Sequence, residues 1–361
     1  MTPSELDGQF GAFTFQDCSQ QEDPGRGRIT CTSQESFFLQ HQPCLLGVGA
    51  NKFCDSVDEV PSPGEVFGNW RLTDTIGEGG YGSIFLATHI NTGEEAALKI
   101  EKSRARRPML KMEALVLKTL QSSQHVARFY ACGVTSTGTN YLVMELLGPN
   151  LSTLRKRQFG AATQGVFPMT TALRLTRQML AAIKDMHEMG FLHRDIKMSN
   201  FAVGRGMKRG TVYIFDFGLS RQFCNFDGTV RPPRNPARFR GTLRYASPYV
   251  LMRQEQDRRD DLISLVYLMV ELMAGPVCWR HCVERDIVLR VKLSIPQHVL
   301  FKDLPQQLTD FYRHLFQLRY GDRPDYQKLE GTLKNLLEED AHPSKAGILC
   351  NSSTSATSEF Y

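Results

Sequence analysis

The sequence predicts an α+β chain of two lobes, a small β-rich one followed by a larger helical one. Three observations carry that expectation. From Trp70 onward, short alternating apolar runs are separated by Gly-rich turns. Beyond Pro149 the apolar residues recur at helical spacing instead. The 361 residues, 41% of them hydrophobic, suffice for a large core with tails on either side.

Arg71–Ile76, Ser83–His89 and Glu95–Ile100 read as strands, joined by turns at Glu78-Gly79-Gly80 and Asn91-Thr92-Gly93. Leu110–Leu120 reads as one helix and Tyr141–Met144 as a further strand. In the second lobe, Leu173, Thr176, Leu180, Ile183 and His187 mark one face of a helix ending just before Gly190. Asp261–Ala274 is apolar on nearly every side, but it is short and broken by Ser264 and Glu271. That pattern fits a buried central helix, not a membrane span. Leu308–Leu318 and Tyr326–Leu337 read as amphipathic helices.

Domain boundaries follow composition. Residues 1–64 form an acidic tail without apolar periodicity, expected to be disordered, with Pro61-Ser62-Pro63-Gly64 at its edge. Residues 65–337 form the folded domain, and 338–361 a flexible Ser/Thr-rich tail. The net charge of +5 conceals a split: residues 1–65 carry −7 and 338–361 carry −3, so the body carries +15. A basic body between acidic ends suits acidic partners. Nine scattered cysteines and a polar start without an export signal are the expectation for a cytoplasmic or nuclear protein with reduced thiols. No membrane or nucleic-acid partner is expected, and the chain is expected to be a monomer.

The chemistry concentrates in His193-Arg194-Asp195-Ile196-Lys197-Met198-Ser199-Asn200 and, after a short interval, Asp216-Phe217-Gly218. Phosphoryl transfer needs this set: a carboxylate to orient the attacking hydroxyl, a cation on the phosphates and ligands for a hard metal ion. Asp195 takes the first role. Lys197 is placed to neutralise charge on the transferred group. Asn200 and Asp216 supply oxygens to Mg²⁺ or Mn²⁺. Gly77-Glu78-Gly79-Gly80-Tyr81-Gly82 has G-x-G-x-x-G spacing but leads into a strand, so it reads as a hairpin covering the ATP phosphates. Ile76, Gly77, Gly79, Gly82, Ile84 and Ala97 would line it. Lys99 would meet the α- and β-phosphates, with Glu113 holding it in place. An exposed pair of this kind contributes only about 0–1 kcal/mol, so its value would be positional. Met144, Glu145 and Leu147 would form the adenine pocket, Met144 as an apolar wall and the backbone of the other two against the base edge. Thr242 is placed to bond near Asp195 and Lys197, and Asp261 to brace the loop from beneath.

Six arginines (221, 231, 234, 238, 240 and 244) and only one acid, Asp227, lie between Phe217 and Pro248. Two readings are open. The arginines bind acidic or phosphorylated substrate sequence, or they pair with the protein's own acids.

Taken together, these motifs give a family resemblance. The carrying segments include Leu110-Lys111-Met112-Glu113, His125-Val126-Ala127-Arg128-Phe129, Glu145-Leu146-Leu147-Gly148-Pro149-Asn150-Leu151 and Asp195-Ile196-Lys197-Met198-Ser199-Asn200-Phe201-Ala202. They continue through Asp216-Phe217-Gly218-Leu219-Ser220-Arg221, Val230-Arg231-Pro232-Pro233-Arg234, Gly241-Thr242-Leu243-Arg244-Tyr245-Ala246-Ser247 and Arg323-Pro324-Asp325-Tyr326. Over residues 67–336 the chain resembles the casein kinase 1 superfamily, and within it the tau-tubulin kinase branch. The resemblance implies a bilobal protein kinase fold, ATP with magnesium, and Ser/Thr acceptors in acidic or primed proteins, cytoskeletal ones among them. Ser247-Pro248-Tyr249 stands where most kinases have Ala-Pro-Glu, so Arg323 lacks the usual buried glutamate; Met198 replaces a proline. The alternative from another class is a pseudokinase scaffold that binds partners through its tails.

Overall fold

A computed structural model of the chain describes residues 61–79, 82–101, 109–135, 138–160, 165–225 and 227–341. The readings made on the two tails fall almost wholly outside these residues.

The first lobe is one antiparallel sheet with a helix against it. Its strands are β1 (Val66–Phe67), β2 (Trp70–Gly79), β3 (Gly82–His89) and β4 (Glu95–Glu101), followed by helix α1 (Met109–Thr119), then β5 (Phe129–Val134) and β6 (Asn140–Glu145). The strand order is β1-β2-β3-β4-β6-β5. Strand alternation sorts β4 by face. Ala96, Leu98 and Ile100 join Phe67, Trp70, Leu72, Phe85 and Val143 in a small separate core. Ala97, Lys99 and Glu101 fall on the opposite face, toward α1. Strand β5 escapes sequence reading because all of its residues but the exposed Val134 are half-buried, so no alternation marks it.

The second lobe begins with α2 (Leu151–Phe159), α3 (Met169–Glu188) and the short strands β7 (Phe191–Leu192), β8 (Phe201–Val203), β9 (Val212–Ile214) and β10 (Arg221–Gln222). Then come α4 (Pro248–Leu251), α5 (Arg258–Met273), α6 (Arg285–Ser294), α7 (Gln297–Leu300), α8 (Gln306–Gln317) and α9 (Tyr326–Ala341). Helix α2 carries Arg155, Lys156 and Arg157 and buries only Leu151, so no apolar stripe announces it. It is started by Asn150, whose side chain accepts from Thr153 N–H at 2.8 Å.

Helix α5 is the expected buried element. Every residue from Arg259 to Met273 is buried, and α3 packs against both α5 and α9. It starts at Arg258, three residues earlier than its apolar run, because Asp257 and Asp260 close a reciprocal capping box there. Helix α9 runs to Ala341, four residues past the boundary drawn at 337, and Asp340 accepts a hydrogen bond from Thr170. Helix α1 belongs to the large core of this lobe and not to the small core of the sheet: Leu110, Val116 and Leu117 pack with residues such as Ile214 and Phe217. The element carrying Glu113 therefore packs against the helical side of the molecule as well as against β4, β5 and β6. Among the described residues no helix is long and apolar enough to cross a membrane.

Candidate active site

The glycine hairpin is formed by β2 and β3, with Gly77 opposite Ile84 and Gly79 opposite Gly82; Gly80 and Tyr81 lie outside the described residues. At Gly82 a Cβ would stand 2.1 Å from the Ile100 carbonyl oxygen, so only glycine fits this approach of two strands. Ile76 is exposed on β2, while Ile84 and Ala97 are half-buried and buried. Ile84 is paired with Lys99 across β3 and β4, and Ala97 with Met144 across β4 and β6. The candidate nucleotide-lining residues thus occupy adjacent register positions on one sheet.

Lys99 Nζ donates to Glu113 Oε2 at 2.7 Å and to Asp216 Oδ1 at 3.2 Å. The expectation of a surface pair is corrected here: the Lys99 and Glu113 side chains are only 11% and 4% exposed. In such surroundings, removing one partner leaves an uncompensated charge and costs about 3–5 kcal/mol. Burial opposes the Lys99 charge, but the two carboxylates outweigh it and raise the amine's pKa above its ordinary value. Burial likewise opposes the Asp216 carboxylate, and Lys99 outweighs it, holding Asp216 below the usual carboxylate range.

Sequence reading missed the residue that anchors α1. Glu101 is buried; its Oε1 accepts from Met109 N–H at 2.6 Å and Leu110 N–H at 3.2 Å, and its Oε2 accepts from Asn140 Nδ2 at 2.7 Å. A carboxylate on the first turn of a helix satisfies unpaired N–H groups and meets the positive end of the dipole. The signal was available: Glu101 lies two residues after Lys99, hence on the same strand face.

The loop before Asp195 is held from several sides. Asp261 at the start of α5 accepts from His193 N–H at 2.7 Å, from Arg194 N–H at 2.8 Å, and contacts His187 Nε2 at 3.1 Å. This is the bracing expected of Asp261. His193 Nε2 reaches the Phe215 carbonyl at 3.1 Å, and Arg194 Nε donates to the Leu219 carbonyl at 2.7 Å. Both Arg194 and Asp216 have left-handed backbones, φ 68° and 67°. Strain of this kind costs on the order of 1–3 kcal/mol and persists where surroundings impose it. Burial, with Arg221 and Arg234 nearby, lowers the Arg194 guanidinium to about 10.

Around Asp195 three donors converge. Lys197 Nζ donates to Oδ2 at 2.6 Å, Thr242 Oγ1 to Oδ1 at 2.6 Å, and Asn200 Nδ2 to the main-chain carbonyl at 3.0 Å. With Nδ2 so engaged, Oδ1 is the side-chain atom of Asn200 that would serve a cation. Phe215 N–H donates to the Asn200 carbonyl at 3.1 Å, which ties the residue before Asp216 to this loop. Asn200 and Asp216 together offer the one or two protein oxygens that Mg²⁺ takes alongside water and phosphate, so the donor set fits a hard divalent ion.

At the strand end, Glu145 N–H is committed to the Arg128 carbonyl at 2.8 Å, and its side chain accepts from Lys208 Nζ at 2.7 Å. Of the Glu145 backbone only the carbonyl is left to face a base, a narrowing of the expectation. Leu147 is half-buried, and its N–H has no backbone partner among the described residues. The cavity lined by Lys99, Glu101, Glu113 and Asp216 is only ≈ 10 Å³. A larger groove of ≈ 370 Å³ lies elsewhere, between α2 and α3.

The arginine segment is partly self-satisfied. Glu255 is buried and takes Arg234 NH2 at 2.8 Å and Arg221 at 3.7 Å, while Glu271 lies 3.6 Å from Arg244. Arg231 reaches Gln222 and Asn225 instead of an acid. Among the described residues the one acid that Arg323 meets is the exposed Glu188, at 3.3 Å.

Two comparisons agree with this geometry. The protein kinase domain model matches residues 70–332. A probable serine/threonine-protein kinase of Dictyostelium discoideum is 41% identical over 269 residues, which is 74% of this chain and 53% of that protein. The chain thus spans about half the length of the curated relative it matches. By its matched domain, its two-lobed fold and the residues gathered around Lys99 and Asp195, the chain belongs to the protein kinase family.

Proposed function

We propose that this chain is an ATP-dependent serine/threonine protein kinase. The observation that carries the reading is the pair of joined clusters: Lys99 held between Glu113 and Asp216, and Asp195 held between Lys197 and Thr242. An acceptor hydroxyl donates to Asp195, whose carboxylate oxygens each have a second lone pair beyond those used by Lys197 and Thr242. Asp195 thereby turns the hydroxyl oxygen toward the γ-phosphorus and receives its proton. Lys197 sits beside the carboxylate and faces charge on the moving phosphoryl oxygens. Lys99 steadies the α- and β-phosphates, kept charged and aimed by its two carboxylates. Asn200 and Asp216 would hold a divalent ion, magnesium by preference, which supplies neutralisation of the phosphate oxygens. Ile76, Ile84, Ala97 and Met144 would enclose the base and sugar, with the Glu145 carbonyl and Leu147 N–H on the base edge.

The finer reading places the chain near the casein kinase 1 superfamily and its tau-tubulin kinase branch, acting as a monomer on acidic or primed substrates in the cytoplasm or nucleus. What supports the substrate preference is an excess of positive charge beside Asp195: Arg221 and Arg234 share Glu255, with Arg194 close by, and Arg238 and Arg240 have no ion-pair partner among the described residues. Transfer of labelled phosphate to casein before and after phosphatase treatment tests both levels. Label in wild type and none in Asp195→Asn supports the kinase reading, and no label in either defeats it. Equal rates on treated and untreated casein would defeat the primed preference alone.

A further inference from the structure

One buried charged group takes no part in that mechanism. Lys292 on α6 is only 4% exposed, yet no carboxylate is paired with it among the described residues. Its ammonium instead collects main-chain oxygens, donating to the carbonyls of Ala246 at 2.6 Å, Arg244 at 2.9 Å and Leu243 at 3.4 Å. Two rings close over it: Nζ lies 4.4 Å from the Tyr267 ring centre and 5.1 Å from that of Trp279. Trp279 Nε1 adds a second donor to the Arg244 carbonyl at 2.8 Å. Burial depresses the Lys292 pKa well below its ordinary value, as expected of a cation compensated only by dipoles and rings.

The strip these carbonyls belong to is the one that touches Asp195. Thr242 hydrogen-bonds the Asp195 carboxylate, and its own carbonyl accepts from Tyr245 N–H at 3.0 Å and Ala246 N–H at 3.1 Å. Ser247 caps α4 and bonds Asp260. Residues 242–247 are thus pinned at one end to the reacting carboxylate and at the other to α5, with Lys292 drawing the middle inward. Without that pull, the carbonyls of Leu243 and Ala246 would lose this donor while Arg244 kept only Trp279; each unsatisfied group costs about 1–3 kcal/mol, which favours re-forming the strip.

Resting on the kinase reading, we infer that Lys292 is a positioning residue for the acceptor polypeptide: it shapes the 242–246 strip on which the segment beside the acceptor Ser/Thr is laid. The residue never meets substrate. It acts through the main chain of Leu243, Arg244 and Ala246, and so through Thr242 and Asp195. A peptide platform fixed by carbonyl bonds has little dependence on the strip's own side chains, whereas a lysine-to-apolar change in a distant helix disturbs it.

Amide hydrogen exchange and steady-state kinetics on full-length Lys292→Met and Lys292→Arg test this. In Lys292→Met, faster exchange is expected at the amides of 243–247, with a peptide KM raised by about tenfold while the ATP KM stays within about twofold. Lys292→Arg, which keeps a cation and several donors, should recover most of the peptide KM. Wild-type exchange over 243–247 in Lys292→Met would overturn the inference whether or not the enzyme is active. So would equal rises in both KM values, or a peptide KM left unchanged. If Lys292→Met does not fold, Trp279→Phe takes its place. It removes one donor from the Arg244 carbonyl and should raise the peptide KM alone by about threefold; an unchanged peptide KM there is equally adverse. A wild-type enzyme that labels no peptide defeats the kinase reading but leaves the exchange prediction standing to be decided on its own.

Discussion

Lys99 and Lys292 are both buried amines, one in each lobe, and their surroundings drive them in opposite directions. Lys99 sits against two carboxylates and its pKa rises; Lys292 sits against three carbonyls and two rings and its pKa falls. The first arrangement keeps a charge available for a more negative visitor, as a triphosphate is. The second spends its N–H donors on the protein's own backbone and offers nothing outward. A buried lysine therefore marks either the binding face of a kinase cleft or the scaffold behind it, and its partners tell which.

Asp195 is where the two regions meet, since it is bonded by Lys197 on the phosphate side and by Thr242 on the platform side. The largest effect is expected there. Asp195→Asn removes the proton acceptor while keeping the shape, and single-turnover transfer should fall by about 10³-fold with nucleotide affinity unchanged. A loss under tenfold would mean that the carboxylate is not the acceptor and that the division of labour drawn here is misplaced.

Next in size is Lys99→Met. Here kcat should drop by about 10²-fold with the peptide KM unmoved. That is the opposite signature to the one expected of the buried amine in the other lobe. If Lys99→Met raised the peptide KM instead, the front and back of the site would not be separable.

The two amines were unequally legible in the sequence, and the reason is the kind of partner each has. Lys99 pairs with the side chains of Glu113 and Asp216, 14 and 117 residues away, each of which stands in a recognisable run of its own, and the loop containing Asp195 places its functional groups within eight residues. Lys292 lies in Arg290-Val291-Lys292-Leu293, a stretch in which sequence reading places no element; its acceptors are 46 to 49 residues away and belong to the backbone, which has no sequence signature. The arginine segment shows the same limit. Its charge was evident, but Glu255 as the acid shared by Arg221 and Arg234 emerges only once the chain folds back on itself. The longest helices were readable from periodicity, whereas α2, α6 and β5 bury too little on any one face to leave a pattern.

Two glycines repeat the contrast in backbone terms. A Cβ at Gly82 would lie 2.1 Å from the Ile100 oxygen; at Gly241, 2.4 Å from the Arg194 oxygen, and Gly241 also has φ +104°. Gly241→Ala combines collision with backbone strain and should be the more damaging, by about 3 kcal/mol against about 1–3 kcal/mol for Gly82→Ala. Thermal unfolding measures both. Gly82→Ala should in addition weaken ATP binding, and Gly241→Ala peptide binding; the reverse assignment would exchange the roles given to the two regions.

The smallest expected effect concerns the far anchor of the platform strip. Asp260 is fully buried, and burial raises its carboxyl to about 7, against the hydrogen bonds from Ser247 and Asp257 N–H that favour its charged form. In the unfolded chain the same carboxyl titrates near 3.8. Between these values the folded state holds a proton that the unfolded state has released, so stability falls as pH rises from about 4 to 7 and levels off above. Asp260→Asn cannot ionise, and its amide retains an oxygen for the Ser247 hydroxyl. Its melting temperature should depend less on pH than the wild type's across pH 5 to 7, with the two curves closest at the acidic end. A variant whose pH slope matched the wild type's would show that Asp260 stays ionised in the fold. The strip holding Thr242 would then be tied at that end to a charge, as Lys99 is, and not to a neutral hydrogen-bonding group.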